Sequence, residues 1–272
     1  MPIFVLPFPH IDPVLIEFGP IIIRWYALAY IAGLVIGWQL AFKIAANTAL
    51  WGNRTPPDHA TIDDLLVYMA LGIVIGGRMG DVLFYEPSYF TQNPLEILAV
   101  WHGGMAFHGG LIGACIGIFL LARIHKTPIL TITDIAAIVS PIGLFFGRIA
   151  NFINGELWGR PTDVPWAMVF PHADDQPRHP SQLYEATLEG LLIFIVIGWI
   201  ARKGGLKRPG LLSGLFGILY AATRTISEFF RDPDPVSEQL AGGFTMGMAL
   251  SAPLALIGLW LVWRSFRTVP NP

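Results

Sequence analysis

The chain has 272 residues, 54% of them hydrophobic and 13% charged, with a formal net charge of -2 and a mean hydropathy of +0.57. A soluble domain carries about 25% charged residues, so the bilayer is the natural solvent here. The arginines are spread through apolar segments and no basic excess exists, which argues against nucleic acid as a partner. One cysteine, Cys115, excludes an internal disulfide and lies in an apolar, glycine-rich run where it is expected to be packed.

The N-terminal stretch lacks a basic region and is broken by Pro2, Pro7, Pro9 and Pro13, which argues against a cleavable signal peptide and for a retained first span. A helix needs roughly 20 mostly apolar residues to cross the hydrocarbon core. On that criterion the sequence predicts an all-α, polytopic membrane protein forming one domain, with seven spans near 19–43, 62–85, 104–123, 131–153, 183–201, 210–230 and 243–264. The second, fourth and sixth are weaker because they contain Arg78, Arg148 and Arg224. The first opens with RWYALAY, where Tyr26 reads by default as part of an interfacial aromatic belt. Between the fourth and fifth spans lies a long loop, about 155–182, whose Pro161, Pro165, Pro171, Pro177 and Pro180 predict a non-helical cap. Its end, RHPSQLYEA, offers Ser181 as a helix cap and brings Gln182, Tyr184 and Glu185 to the bundle mouth.

Orientation follows from the bias of basic residues toward the cytoplasm. Arg54, Arg123, Lys126, Arg202, Lys203, Lys207, Arg208, Arg264 and Arg267, with Lys43, fall on one side of the seven-span arrangement. Arg160, Arg178 and Arg231 fall on the other. The N-terminus and the long loop are therefore expected outside and the C-terminus inside.

Three constellations carry chemistry. In GRIANFINGELWG, residues 147–159, helical spacing places Arg148, Asn151 and Asn154 on one stripe, followed by Glu156 and Gly159. Charged residues at membrane depth are costly and usually mark a substrate or ion path; the alternative is an arginine snorkelling to the headgroups beside asparagines that glue helices. In YAATRTISEFFRDPD, residues 220–234, Arg224, Glu228 and Arg231 share a face, so that Glu228 would orient both arginines. A buried ion-pair ladder is the alternative there. Arginines from two spans would make a doubly basic pocket suited to phosphate, whose oxygens a planar guanidinium holds through two parallel hydrogen bonds. In WHGGMAFHGGLIGA, residues 101–114, His108 is the better candidate base, and His102 lies nearer the outer loop; a hydrogen-bonded packing role is the alternative. The histidines and the cysteine show no metal-ligand spacing, and no cofactor is implied.

These segments, with RWY, FHGGLIGA, RHPSQLYEA and RTISEFFR in order, resemble the bacterial prolipoprotein diacylglyceryl transferase family over nearly the whole chain. The resemblance implies an inner-membrane enzyme that moves the diacylglyceryl group of phosphatidylglycerol to the lipobox cysteine of a prolipoprotein, making a thioether and releasing glycerol phosphate. It also implies Arg148 as a phosphatidylglycerol contact and His108 and Arg224 as essential. Tyr26, Asn151, Asn154, Glu156, Gly159, Glu228 and Arg231 take supporting roles in substrate binding. The run LIGAC ending at Cys115 is like a lipobox but lies within a span, and reads as helix packing. A transporter or flippase for an anionic lipid is the rival reading, because buried arginines also line substrate paths; the odd span count and the lack of a repeat count against it.

Overall fold

The computed structural model describes residues 5–9, 11–19, 21–100, 103–232 and 245–267, with the side chains of all but Ile21, Phe107, His108, Met246 and Leu250. The protein is mostly helical. Among the described residues, five helices are long and apolar enough to cross a membrane: Trp25–Ala46 (α1), His59–Tyr85, Ile129–Ile153 (α5), Ser181–Arg202 and Gly247–Arg267. The second comprises α2 (His59–Gly80) and a wider π turn, Asp81–Tyr85. The fourth comprises α6 (Ser181–Glu185), a π segment (Ala186–Leu192) and α7 (Ile193–Arg202). The last belongs to α9 (Met246–Arg267). A short α3 (Pro87–Gln92), α4 (Phe107–Ile124) and α8 (Leu211–Glu228) complete the helices among the described residues.

The helices fall on the predicted spans with three corrections at the ends. Residues 21–24 are not helical: Ile21–Arg24 (β2) pairs antiparallel with Val14–Phe18 (β1), because consecutive β-branched residues favour an extended backbone and Gly19, at φ +59°, supplies the turn. The chain is therefore not purely α. The third predicted span begins at Phe107, since Gly103 and Gly104 take left-handed conformations (φ +88° and +71°). Ser181 does not cap α6; its hydroxyl donates to the Leu157 carbonyl, 3.1 Å away. Residues 243 and 244, the start of the seventh predicted span, lie outside the described residues.

Large apolar residues are both buried, as Trp51, Ile132 and Leu212 are, and exposed, as Ile75, Leu111, Ile195 and Leu256 are, and glycines line the helix contacts. A Cβ on Gly72 would lie 2.3 Å from the Gly113 carbonyl oxygen, and one on Gly109 would lie 2.2 Å from that of Gly76, so α2 and α4 meet backbone to backbone. Gly214 and Gly258 bring α8 and α9 together in the same way. Helix association in lipid relies on such close approach because no hydrophobic force drives it there. Cys115 is exposed rather than packed: with Gly109, Gly113 and Gly117 turned toward α2, a residue two places from Gly113 and Gly117 points away from that contact.

Two arginines, the part-buried Arg54 and the buried Arg78, organise the ends. Arg54 donates to Thr131 Oγ1 (2.7 Å) and to the Leu206 carbonyl, and pairs with the buried Asp134 (3.4 Å). Asp134 in turn accepts from the backbone of Gly210 (2.8 Å) and Ser213 (3.0 Å), capping α8 from a different helix. Arg78, which weakens the second span by hydropathy, donates to the carbonyls of Ile97 (3.0 Å), Gly103 (2.6 Å), Gly104 (3.1 Å), Ala99 (3.3 Å) and Glu96, so it latches residues 96–99 and 103–104 onto α2. Arg78→Ala leaves those carbonyls without their donor and is expected to cost about 3 kcal/mol of local stability. Hydrogen exchange at residues 96–104 should accelerate accordingly, and unchanged protection would show that the latch is dispensable.

Candidate active site

Four helical elements deliver charge to one point in the bundle. Arg148 descends from the last turns of α5, Arg224 and Glu228 come from α8, and Arg231 follows the end of α8. The opposing groups, Glu185 and Glu189, come from the end of α6 and the π segment, and both side chains are 0% exposed. Wide π turns alter the spacing of side chains and are frequent at functional sites.

Glu185 is the hub. Its Oε1 accepts from Arg224 Nη1 (2.6 Å) and Arg231 Nη1 (3.2 Å), and its Oε2 lies 3.3 Å from Arg148 Nη1. Glu189 pairs with Arg148 Nη2 (3.3 Å) and with Arg224 Nη1 (3.5 Å), and Glu228 pairs with Arg224 Nη2. The two arginines expected to meet do meet, but the pocket is not doubly basic: three guanidiniums face three carboxylates. Glu228 was expected to orient Arg231 as well, yet Arg231 reaches across to Glu185, because the chain leaves helical geometry after Glu228. Glu185 appeared in the sequence only as a polar group at the bundle mouth, and Glu189 gave no signal, since its spacing matters only once the π segment is known.

The Arg148 stripe divides. Asn151 Nδ2 donates to Glu156 Oε1 (2.7 Å), and Asn154 Nδ2 lies 3.4 Å from the same oxygen. Tyr26 approaches Asn151 and Glu156, and its hydroxyl is 3.1 Å from that of Tyr30, so it joins this polar group rather than only lining a belt. Gln182 Nε2 donates to the Glu156 carbonyl (2.6 Å), tying the segment to α6. A cavity of about 370 Å³ opens beside Asn154, lined also by Phe8, Asp12, Pro171 and His172.

The long loop is non-helical as predicted and is strapped to the end of α8. Gly159 pairs with Arg231 in an antiparallel bridge and accepts no side chain, since a Cβ there would lie 2.5 Å from the Phe230 carbonyl oxygen. Arg178 donates to the Gly159 carbonyl (3.0 Å) and pairs with Asp232 (3.0 Å) and Asp174 (2.8 Å). Those hydrogen bonds hold the Asp174 carboxyl down at about 2, so the contact persists well into acid. His179, packed against Tyr184 and Phe230, is pushed below the ordinary histidine range by burial and stays neutral at neutral pH.

His108 occupies the first turn of α4, but its side chain lies outside the described residues, as does the whole of His102. Four buried polar atoms near the cluster have no hydrogen-bond partner: Glu185 Oε2, Glu189 Oε1, Gln182 Oε1 and Ser227 Oγ. Buried polar atoms of this kind are rare and invite a ligand or water.

The profile of the prolipoprotein diacylglyceryl transferase family matches residues 13–264. The chain belongs to that family. It is 58% identical to the phosphatidylglycerol–prolipoprotein diacylglyceryl transferase of Methylocella silvestris over 99% of both chains. It is 56% identical to the protein of that name from Beijerinckia indica over 96% of both, and 51% identical to that of Rhizobium meliloti over 96% of this chain and 94% of the relative.

Proposed function

We propose that this chain transfers the diacylglyceryl group of phosphatidylglycerol to the thiol of a prolipoprotein lipobox cysteine, with the arginine–glutamate cluster holding the donor phosphate. The observation that carries the placement is the convergence of Arg148, Arg224 and Arg231 on the buried Glu185. Sulfur attacks the glycerol carbon; the carbon–oxygen bond breaks, and glycerol phosphate leaves with its charge rising from one to two. Guanidiniums preorganised in a water-poor site favour that charge more than they favour the diester, which lowers the barrier. The carboxylates fix the arginines and offset the cost of burying them before lipid arrives. Donors not spent on carboxylates, Arg224 Nε and the remaining nitrogens of Arg231, are left for phosphate oxygens. Glycerol hydroxyls of the headgroup would donate to Glu185 Oε2 and Glu189 Oε1.

Tyr26, Asn151 and Asn154, with Glu156 and Gly159 of the loop 155–182, bind substrate at the outer end of α5, and His108 takes the thiol proton. A cysteine thiol with pKa near 8.5 is mostly protonated at pH 7. His108→Gln is expected to slow transfer most below the ordinary thiol pKa, with the deficit shrinking as pH rises and the thiol ionises unaided. A deficit independent of pH would remove His108 from that role.

We further place α4 and α8 in the bilayer, giving seven spans in a bacterial inner membrane with the N-terminus and the cap periplasmic. Support comes from the apolar stretch Gly109–Ile124, and from Arg54 and Lys207, whose loops touch at the same end of the bundle. The reading is tested with purified protein in vesicles, phosphatidylglycerol labelled in its diacylglyceryl part, and a lipobox peptide beside its Cys→Ser control. Label on the cysteine peptide alone supports transfer. Lipid crossing between leaflets without label on the peptide would make the chain a flippase instead.

A further inference from the structure

The end of the bundle opposite the arginine–glutamate cluster carries a basic pocket that the transfer chemistry does not use. A cavity of about 230 Å³ opens between α7, the turn that follows it and the end of α9, lined by Trp199, Lys203, Gly204, Arg208, Leu211 and Phe266. Leu211 lies some 20 Å along α8 from Arg224, counting 1.5 Å per residue, so the pocket and the cluster belong to different leaflets.

The Arg208 guanidinium lies over the Phe266 ring, 4.4 Å from its centroid, and its Nη1 is buried without a hydrogen-bond partner. A buried donor left unpaired costs free energy that a bound acceptor would recover. The neighbourhood offers no carboxylate for the purpose: α7, the turn and α8 contain no Asp or Glu from 190 to 227, and α9 contains none from 246 to 267. Asp134, which meets the start of α8 from another helix, already accepts from Gly210 and Ser213 and pairs with Arg54. Those same bonds occupy the start of α8, so an anion here depends on side chains. Trp199 (60% exposed), Trp263 (53%) and Phe266 (55%) form an exposed aromatic rim of the kind found at headgroup depth.

We propose that this pocket binds the phosphate of an anionic phospholipid from the leaflet opposite the transfer site. Arg208 and Lys203 take the phosphate oxygens, and Trp199 and Phe266 pack against the glycerol backbone and upper acyl chain. The inference rests on the bundle spanning a membrane, and stands apart from the reaction assigned to the other end.

Native mass spectrometry of the delipidated full-length protein, titrated with phosphatidylglycerol and separately with phosphatidylcholine, reads this directly. Wild type is expected to hold one phosphatidylglycerol beyond the donor bound at the transfer site, and the affinity for that additional lipid falls about tenfold or more, that is by about 1.4 kcal/mol or more, in Arg208→Gln. Lys203→Gln, at an exposed side chain that does not bear on folding, is expected to weaken the same adduct, and Arg148→Gln to leave it in place. Transfer in detergent at saturating donor should be unchanged in both Lys203→Gln and Arg208→Gln. Equal adduct number and affinity in wild type and Lys203→Gln would overturn the proposal. Equal binding of phosphatidylcholine, or displacement of the adduct by excess inorganic phosphate, would overturn it as well, assigning the pocket to annular lipid or to free phosphate.

Discussion

Arg148→Ala and Arg224→Ala, each made alone, are expected to lower diacylglyceryl transfer by at least about a hundredfold, the effect of losing one preorganised donor worth around 3 kcal/mol in the transition state. Each variant breaks buried pairs from one side and should lose about 3–5 kcal/mol of stability, yet remain inserted, because further contacts hold the bundle together elsewhere: the glycine faces of α2 with α4 and α8 with α9, and the Arg54–Asp134 lock at the far end. The loss should appear mainly in kcat, with the donor KM moving much less, since the charge that the arginines favour exists fully only as the carbon–oxygen bond breaks. Lysine should rescue poorly at either position: an ammonium cannot reach two carboxylates in a fixed fork as Arg148 reaches Glu185 and Glu189, at 3.3 Å each. Full activity in both alanine variants would end the phosphate-clamp account.

Glu185→Gln is the second large effect. The isosteric change removes the one carboxylate that touches all three arginines and leaves two carboxylates facing three guanidiniums. Mutual repulsion should then move Arg148, Arg224 and Arg231 apart, and a misplacement of about 1 Å at a catalytic group can cost roughly a hundredfold. Because a buried pair is broken from one side, a stability loss of about 3–5 kcal/mol is expected to accompany the lost activity. Glu189→Gln should do less, since its contact with Arg224 (3.5 Å) is longer than that of Glu185 (2.6 Å) and it makes no ion pair with Arg231. Rates in the order wild type, Glu189→Gln, Glu185→Gln support a hub at Glu185, whereas equal rates for the two variants would mean that only total charge matters.

Much of the helical plan was legible because membrane spans announce themselves by length and apolarity, and the helix ends moved by only a few residues. What moved them was local backbone chemistry that a hydropathy window cannot register: a β-branched run paired into a hairpin at Ile21–Arg24, and paired left-handed glycines ahead of Phe107. The site divides in the same way. Arg148 and Arg224 stand out because an arginine in an apolar run has few explanations, and Asn151, Asn154 and Glu156 follow from being beside it. Glu185 and Glu189 were obscured because their meaning is relational: i, i+4 along one element is unremarkable until the π segment turns both toward arginines of α5 and α8. Gly247 was hidden for a similar reason; a Cβ there would sit 2.3 Å from Glu228 Oε1, so α9 closes over the cluster at a position that α9 itself gives no cause to notice.

The central claim is that the arginines hold phosphate as it leaves carbon, and the bond that breaks can be identified directly. Phosphatidylglycerol carrying heavy oxygen in the bridge between the diacylglycerol carbon and phosphorus is incubated with the protein and a lipobox peptide, and both products are weighed. The account predicts a thioether-linked peptide free of heavy oxygen and glycerol phosphate containing it. Heavy oxygen retained on the diacylglyceryl product would mean that the phosphorus–oxygen bond breaks instead, and the cluster would not be stabilising a phosphate leaving carbon.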